Sequence, residues 1–222
     1  MAGSPTVLVT GFEPFGGDDE NPSAEVARAL AGRRVAGAGI ACRILPVDLD
    51  RLDAALDAAL AGLASPPAAV LALGLASSEA VIRLERVALN VADFSIPDNA
   101  GALARNRPLE PGGPDARLSR LPLDSILAAL LARGIPARLS ETAGLYLCNA
   151  AMYRLLGRLP AGMPCGFVHL PPLPAQVARR IAKAGGRISG RDPGLASMPV
   201  DLQIRAIEVA VEATLAEAGR TA

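Results

Sequence analysis

A cysteine, a histidine and a carboxylate within hydrogen-bonding reach of one another make a nucleophile with its base and an orienting acid. In this chain of 222 residues the membership of such a set is narrow: three cysteines, Cys42, Cys148 and Cys165, and one histidine, His169. His169 ends the apolar run Gly166-Phe167-Val168-His169, and Pro171 and Pro172 stop the chain just after it. A strand delivers a side chain to a cleft at such a point, although a lone histidine is more often structural than catalytic. No G-x-S-x-G elbow is present to offer a serine partner. Cys165 lies four residues earlier on the same strand, roughly 13 Å away at strand rise, too far to share a proton. Cys42 sits within a strand-like stretch and reads as a small core residue. Cys148 follows Thr142-Ala143-Gly144-Leu145-Tyr146-Leu147 and immediately precedes a helix expected to begin near Asn149. A thiol there faces the positive end of the helix dipole and unpaired N–H groups, which favour thiolate over the usual ~8.5 and offer an oxyanion hole. The plain alternative for Cys148 is a buried structural cysteine; the company of His169 argues for nucleophilic chemistry. The residues leave the orienting acid open among Glu85, Asp93 and Asp98. Glu85 stands out because Leu84, Val87, Ala88 and Leu89 surround it, and its plain alternative is an ion pair with Arg86 at a sheet edge.

The elements that must position these groups alternate. Residues 6–10 read as a buried strand, followed by a loop, 11–17, and a helix opened by Asn21-Pro22-Ser23 that runs to about Leu30. Strands are expected at 40–47, 68–73, 137–140 and 166–170, with a further strand-like run inside 84–94, and helices at 48–63, 123–133, 149–159, 176–184 and 201–218. Residues 98–120, rich in Pro, Gly and Arg, carry neither period and read as a long loop, a candidate lid over a site. This order implies an α/β fold, one domain over residues 1–222, with a mixed, mostly parallel central sheet flanked by helices. The loop at 11–17 holds Phe12 and Phe15, two of six aromatic side chains in the chain (four Phe, two Tyr, no Trp). So many of so few in one Gly/Pro loop suggests an apolar pocket. It is not a phosphate-binding P-loop, because the Gly-Lys-Ser/Thr ending is missing.

Composition removes other classes. Twenty-two Lys and Arg balance 22 Asp and Glu, so no basic excess points to nucleic acid. One histidine and scattered cysteines offer no zinc spacing, so no metal is expected. The odd thiol count suggests reduced cysteines in a cytosolic protein. The start, Met1-Ala2-Gly3-Ser4-Pro5, lacks the basic flank of a secretory signal, and the apolar runs are too short to span a bilayer.

Several blocks together resemble the pyroglutamyl peptidase I (pyrrolidone-carboxylate peptidase) family of cysteine peptidases. They are Val7-Leu8-Val9-Thr10-Gly11-Phe12-Glu13-Pro14-Phe15-Gly16-Gly17 with Asn21-Pro22-Ser23; Glu85-Arg86-Val87-Ala88-Leu89-Asn90 with Ile96-Pro97-Asp98-Asn99; Thr142-Ala143-Gly144 leading to Cys148-Asn149; and Gly166-Phe167-Val168-His169-Leu170-Pro171. They occur in family order across nearly the whole chain. The resemblance implies a hydrolase that removes N-terminal pyroglutamate from peptides, with Cys148 as nucleophile, His169 as general base and acid, and Glu85 as orienting acid. It further implies a phosphorylase-like mixed sheet, no cofactor, a cytosolic location and a homo-oligomer, tetramer or dimer. Phe12, Phe15, Leu75 and Tyr146, the last at a position usually Phe, would line the lactam pocket. Three positions depart from the family pattern: Leu75 stands for a glutamine, and Glu79 and Ser95 each stand for an arginine. The expectation is a retained triad with shifted substrate preference or turnover. Rival readings are an amidase for another small acyl group and a non-enzymatic small-ligand binder, which has no use for all three triad residues.

Overall fold

In the computed structural model, residues 4–77, 79–187 and 195–221 are described; Ser78, within the departing segment, and the first three residues, within the leader reading, lie outside them. The elements run β1 (Thr6–Phe12), α1 (Pro22–Leu30), β2 (Arg34–Val35), β3 (Ala38–Leu45), α2 (Leu49–Ala61), β4 (Ala69–Leu75), β5 (Ile82–Glu85), β6 (Val87–Leu89), β7 (Ala116–Leu118), α3 (Leu123–Ala132), β8 (Ala137–Ser140), α4 (Leu147–Arg158), β9 (Cys165–Leu170), α5 (Pro174–Lys183) and α6 (Val200–Thr221).

Seven strands form one sheet in the order β2-β3-β1-β4-β9-β5-β8. The pairs β1/β3, β1/β4, β4/β9 and β5/β8 are parallel; β2/β3 and β5/β9 are antiparallel. The mixed, mostly parallel α/β architecture expected from the sequence is therefore present. Period-two alternation sorts the side chains between two cores. Val7, Val9, Leu71, Leu73, Ile82, Leu84, Val168 and Leu170 face α1, α3 and α6, and every one is buried. Leu8, Val70, Ala72, Cys165 and Phe167 face α2 and α4. Arg83 and Glu85 alternate with Ile82 and Leu84, so β5 turns both charges toward the second face, the face of Phe167.

Local chemistry explains the helix starts. Asn21 accepts from Ser23 N (3.1 Å) with Pro22 in the first turn. Asp48 accepts from the N–H groups of Asp50 and Arg51, so it caps α2 rather than opening it. Gly11 lets α1 close onto β1: a Cβ there would sit 2.3 Å from Ser23 O.

Three expectations need correction. The run 84–94 is not one strand; it breaks at Arg86 into β5, in the main sheet, and β6, which leaves it to pair with β7. Residues 98–120 are consequently not wholly irregular, since they contain β7, and Arg107 bridges Ala92. The segment is also anchored: Asp98 accepts from the N–H groups of Leu49, Ala100 and Ala102, and Asn99 Nδ2 donates to Glu13 Oε1 and Pro14 O. Finally, α4 begins two residues earlier than expected, which puts Cys148 inside its first turn.

Burial of thiols has a signed consequence for stability. Desolvation pushes the Cys165 thiol up from 9.0 to about 12, against a smaller opposing pull from Arg120. The unfolded chain ionises this thiol near 9 and the folded chain near 12, so its contribution is complete below pH 9 and is lost as pH rises toward 12. Urea midpoints are expected to decline across that interval, and Cys165→Ala to flatten part of the decline. Cys148 and Tyr146, also raised to about 12, sustain the rest. An equally steep decline in the variant would contradict this assignment.

Candidate active site

His169 is the penultimate residue of β9 and is 5% exposed. Strand register places Gly74 beside it on β4 and Arg83 beside it on β5. Glu85, two residues along from Arg83 and fully buried, has Oε1 at 2.7 Å from His169 Nδ1. A carboxylate accepting there puts the imidazole proton on Nδ1 and leaves Nε2 to take a proton from a neighbour. Phe167, two residues earlier on the same face, supports the ring with centroids 4.8 Å apart.

Cys148 approaches this face from α4. A Cβ on Gly74 would lie 2.7 Å from Cys148 Sγ and 2.7 Å from Phe167 Cζ. The one residue in register with His169 on its β4 side is thus also the one that the sulfur rests against. Only glycine leaves that space. Gly74→Ala is expected to displace the sulfur and lower kcat by about a hundredfold, as ångström-scale misplacement of a reacting group does. Measuring kcat beside the unfolding midpoint checks it; a variant with native kcat would show that the sulfur tolerates the shift.

The helix carrying Cys148 is pinned by a buried amide. Asn149 Oδ1 accepts from Leu89 N (2.8 Å), and its Nδ2 donates to Leu89 O and Val91 O, both at 2.9 Å. Tyr146 is the N-cap and supplies no side-chain cap to the first turn, so those N–H groups remain available as donors to an anion.

Between α4 and the loop after β1 lies a small cavity lined by Phe12, Phe15, Asn21, Val47, Leu75, Tyr146, Leu147 and Cys148. The four pocket residues expected from the sequence are therefore brought together against the thiol. Phe94 and Phe15 flank Tyr146 at 4.6 and 5.9 Å, and Tyr146 Oη donates to Pro97 O at 3.0 Å. None of residues 98–120 lines the cavity. Its volume of about 10 Å³ holds roughly one water, so side chains around it must move to admit a ring. Three larger clefts, 430 Å³ beside Arg86 and Leu118, 540 Å³ beside Leu60 and Met163, and 370 Å³ beside Arg117 and Arg154, contain none of Glu85, Cys148 or His169.

Desolvation disfavours the thiolate of Cys148, although the residue is only half-buried. Burial pushes Cys148 up from 9.0 to about 12; the Glu85 charge adds to this, and its own backbone N–H and Arg83 oppose it. The helix N-terminus does act in the expected direction, but the loss of water outweighs it. The sulfur therefore keeps its proton until a base removes it.

Other sequence candidates separate cleanly. Asp98 is occupied with backbone N–H groups, and Asp93 lies 3.7 Å from Arg105 at the surface; neither is hydrogen-bonded to His169. Arg86 pairs with Glu141 (3.8 Å), not Glu85. Cys42 is half-buried in β3, and Cys165 lies at the far end of β9. Glu79 makes a two-point pair with Arg138 at 2.6 and 2.7 Å. Nothing in the structure explains Ser95. Arg83, Gly74 and Asn149 were missed from sequence; the alternation Ile82-Arg83-Leu84-Glu85, which puts two charges on one face, was the available signal for Arg83. Among the described residues no group of three or more His, Cys, Asp or Glu is placed to hold a metal ion, and no helix is long and apolar enough to cross a membrane.

This geometry has close relatives. A pyrrolidone-carboxylate peptidase of Chromobacterium violaceum is 43% identical over 214 residues, spanning 95% of this chain and 92% of that one. One from Pyrococcus furiosus is 39% identical over 214 residues, with 95% and 98% covered. The crystal structure of pyrrolidone carboxyl peptidase from Thermus thermophilus superposes with a TM-score of 0.82 at 41% identity, covering 93% of this chain and 98% of that one. The profile of the pyroglutamyl peptidase family itself matches residues 5–217, and with relatives of about 40% identity over nearly the whole chain, the chain belongs to that family.

Proposed function

We infer that this protein is a cysteine hydrolase that removes N-terminal pyroglutamate from peptides, with Cys148 as nucleophile, His169 as general base and acid, and Glu85 as the acid that orients His169. The observation that carries the reading is the 2.7 Å contact between Glu85 and His169 on the strand face against which Cys148 Sγ rests. As the sulfur attacks the pyroglutamyl carbonyl carbon, His169 Nε2 takes its proton, and Glu85 stabilises the imidazolium that results. N–H groups of the first turn of α4 receive the oxyanion. The tetrahedral intermediate collapses to a thioester as His169 returns the proton to the departing amine. A water then gives a proton to His169 and adds to the thioester carbonyl, and the products are pyroglutamate and the restored thiol.

Pyroglutamate is a small, flat lactam, and Phe12, Phe15, Leu75 and Tyr146 supply apolar surface suited to its ring. Leu75 offers no side-chain amide to the lactam, and Asn21 is committed to Glu13 O and Ser23, so backbone groups carry its polar recognition. The wider setting in this reading is the cytosol, without a cofactor, in a homo-oligomer. The unpaired state of Cys42, Cys148 and Cys165 accords with a reducing compartment, and the exposed Leu118 and Leu131 offer apolar surface for a subunit contact, checked by sedimentation velocity. The test of the activity is release of the fluorophore from a pyroglutamyl amide. Turnover that requires the free pyroglutamyl ring, with none from the corresponding prolyl amide, is expected; equal turnover of both would assign the pocket to another acyl group.

A further inference from the structure

The mechanism above leaves one charge unexplained. Glu85 is fully buried, its Oε2 has no hydrogen-bond partner, and its Oε1 bonds only to His169. While His169 is neutral, as it must be to accept a proton, the imidazole contributes no countercharge. A carboxylate taken this far from water needs one.

The nearest cation is Arg83. Its Nε lies 3.2 Å from Glu85 Oε1, and its side chain is 19% exposed. Antiparallel register puts Arg83 directly beside His169, and parallel register puts Glu85 beside Ser140 of β8. Arg83 Nη2 donates to Ser140 Oγ at 2.9 Å, which fixes the far end of the guanidinium. The carboxylate oxygen that orients the imidazole therefore has a hydrogen bond to His169 on one side and an ion-pair contact with Arg83, whose Nε makes no hydrogen bond, on the other.

The other charges around the pair are engaged elsewhere. On β8, Arg138 is committed to Glu79 from the β4–β5 connection. Arg86 and Glu141 pair with each other at the surface, and Arg105 lies beside Asp93. From α4, Cys148 feels the Glu85 charge, and from β8 so does Arg138.

We propose that Arg83 is a positioning residue of the reaction, the standing positive charge that balances the buried Glu85 carboxylate and holds it aimed at His169. This rests on the triad reading above. At Cys148 the Glu85 charge favours the protonated thiol and Arg83 works against it. Removing Arg83 takes away a positive charge that favours the Cys148 thiolate, so the thiol holds its proton to higher pH.

The test compares wild type, Arg83→Met and Arg83→Lys on two readouts: the pH profile of kcat/KM with a fluorogenic pyroglutamyl amide, and the pH dependence of Cys148 alkylation by iodoacetamide. In Arg83→Met, kcat is expected to fall about tenfold and both profiles to move up by about one pH unit, with KM within about twofold. Arg83→Lys, which keeps the charge, is expected to restore the wild-type profile. Profiles of Arg83→Met that superimpose on wild type would overturn the proposal, as would a Lys variant displaced as far as the Met variant, which would assign the effect to packing. If Arg83→Met does not fold, Arg83→Gln takes its place. A wild type that folds but releases no fluorophore defeats the assigned substrate instead, and the alkylation profiles then judge Arg83 alone.

Discussion

Cys148→Ala is expected to lower kcat by about ten-thousand-fold or more, because Cys148 is the one thiol lining the pocket and the thioester route is lost with it. Any residual rate comes from the pocket and the α4 N–H groups acting on water. Ala fits where the thiol was: the sulfur rests against Gly74 and lies under the apolar wall formed by Leu75 and Tyr146, so the fold should tolerate the truncation. Binding of a pyroglutamyl peptide, measured by titration calorimetry, is expected to stay within about threefold of wild type, since the ring contacts come from Phe12, Phe15, Leu75 and Tyr146. Turnover within tenfold of wild type would remove Cys148 from the mechanism. Loss of binding together with turnover would mean that the sulfur builds the pocket rather than reacts in it.

Glu85→Gln is the second large effect, and it acts on both catalysis and stability. The amide keeps the shape of the carboxyl group but can donate to Nδ1, which favours the imidazole tautomer carrying its proton on Nε2, the nitrogen that must accept one from Cys148. A fall in kcat of about a thousand- to ten-thousand-fold is expected, with KM nearly unchanged. Arg83 also loses its buried partner at 3.2 Å, and stranding one member of a buried pair costs about 3 kcal/mol. Glu85→Asp keeps the charge on a shorter arm and should recover more stability than activity. Chemical denaturation paired with steady-state kinetics separates the two; a Gln variant with wild-type kcat and a lowered midpoint would reduce Glu85 to a structural role.

The legibility of this site in the sequence followed from how local each signal was. Capping and period are local, so Asn21-Pro22-Ser23 and Asp48 could be read as helix starts, and 137–140 and 166–170 as strands. Membership of a sheet is not local. The apolar run from Leu84 reads as one strand, yet it divides at Arg86 because β5 is held between β9 and β8 while β6 turns away to β7. Nothing within 98–120 announces β7, whose partner lies outside that segment. For the site, Cys148 and His169 stand out by scarcity and position, but the choice of Glu85 over Asp93 and Asp98 depends on strand register between segments 84 residues apart. The state of the thiol was beyond reach for a different reason. A dipole at a helix start can be inferred from sequence, whereas the depth of burial that outweighs it is set by Gly74, Phe167 and the pocket wall together.

The measurement that bears most directly on the assigned chemistry is acid quench of the enzyme during turnover of a pyroglutamyl amide, followed by peptide mapping by mass spectrometry. The expected result is a pyroglutamyl group attached to the peptide containing Cys148 in wild type, and little or none when His169 is replaced by a residue that cannot take the thiol proton. Rapid turnover with no adduct at any time, or an adduct on Cys42 or Cys165, would contradict a thioester at Cys148.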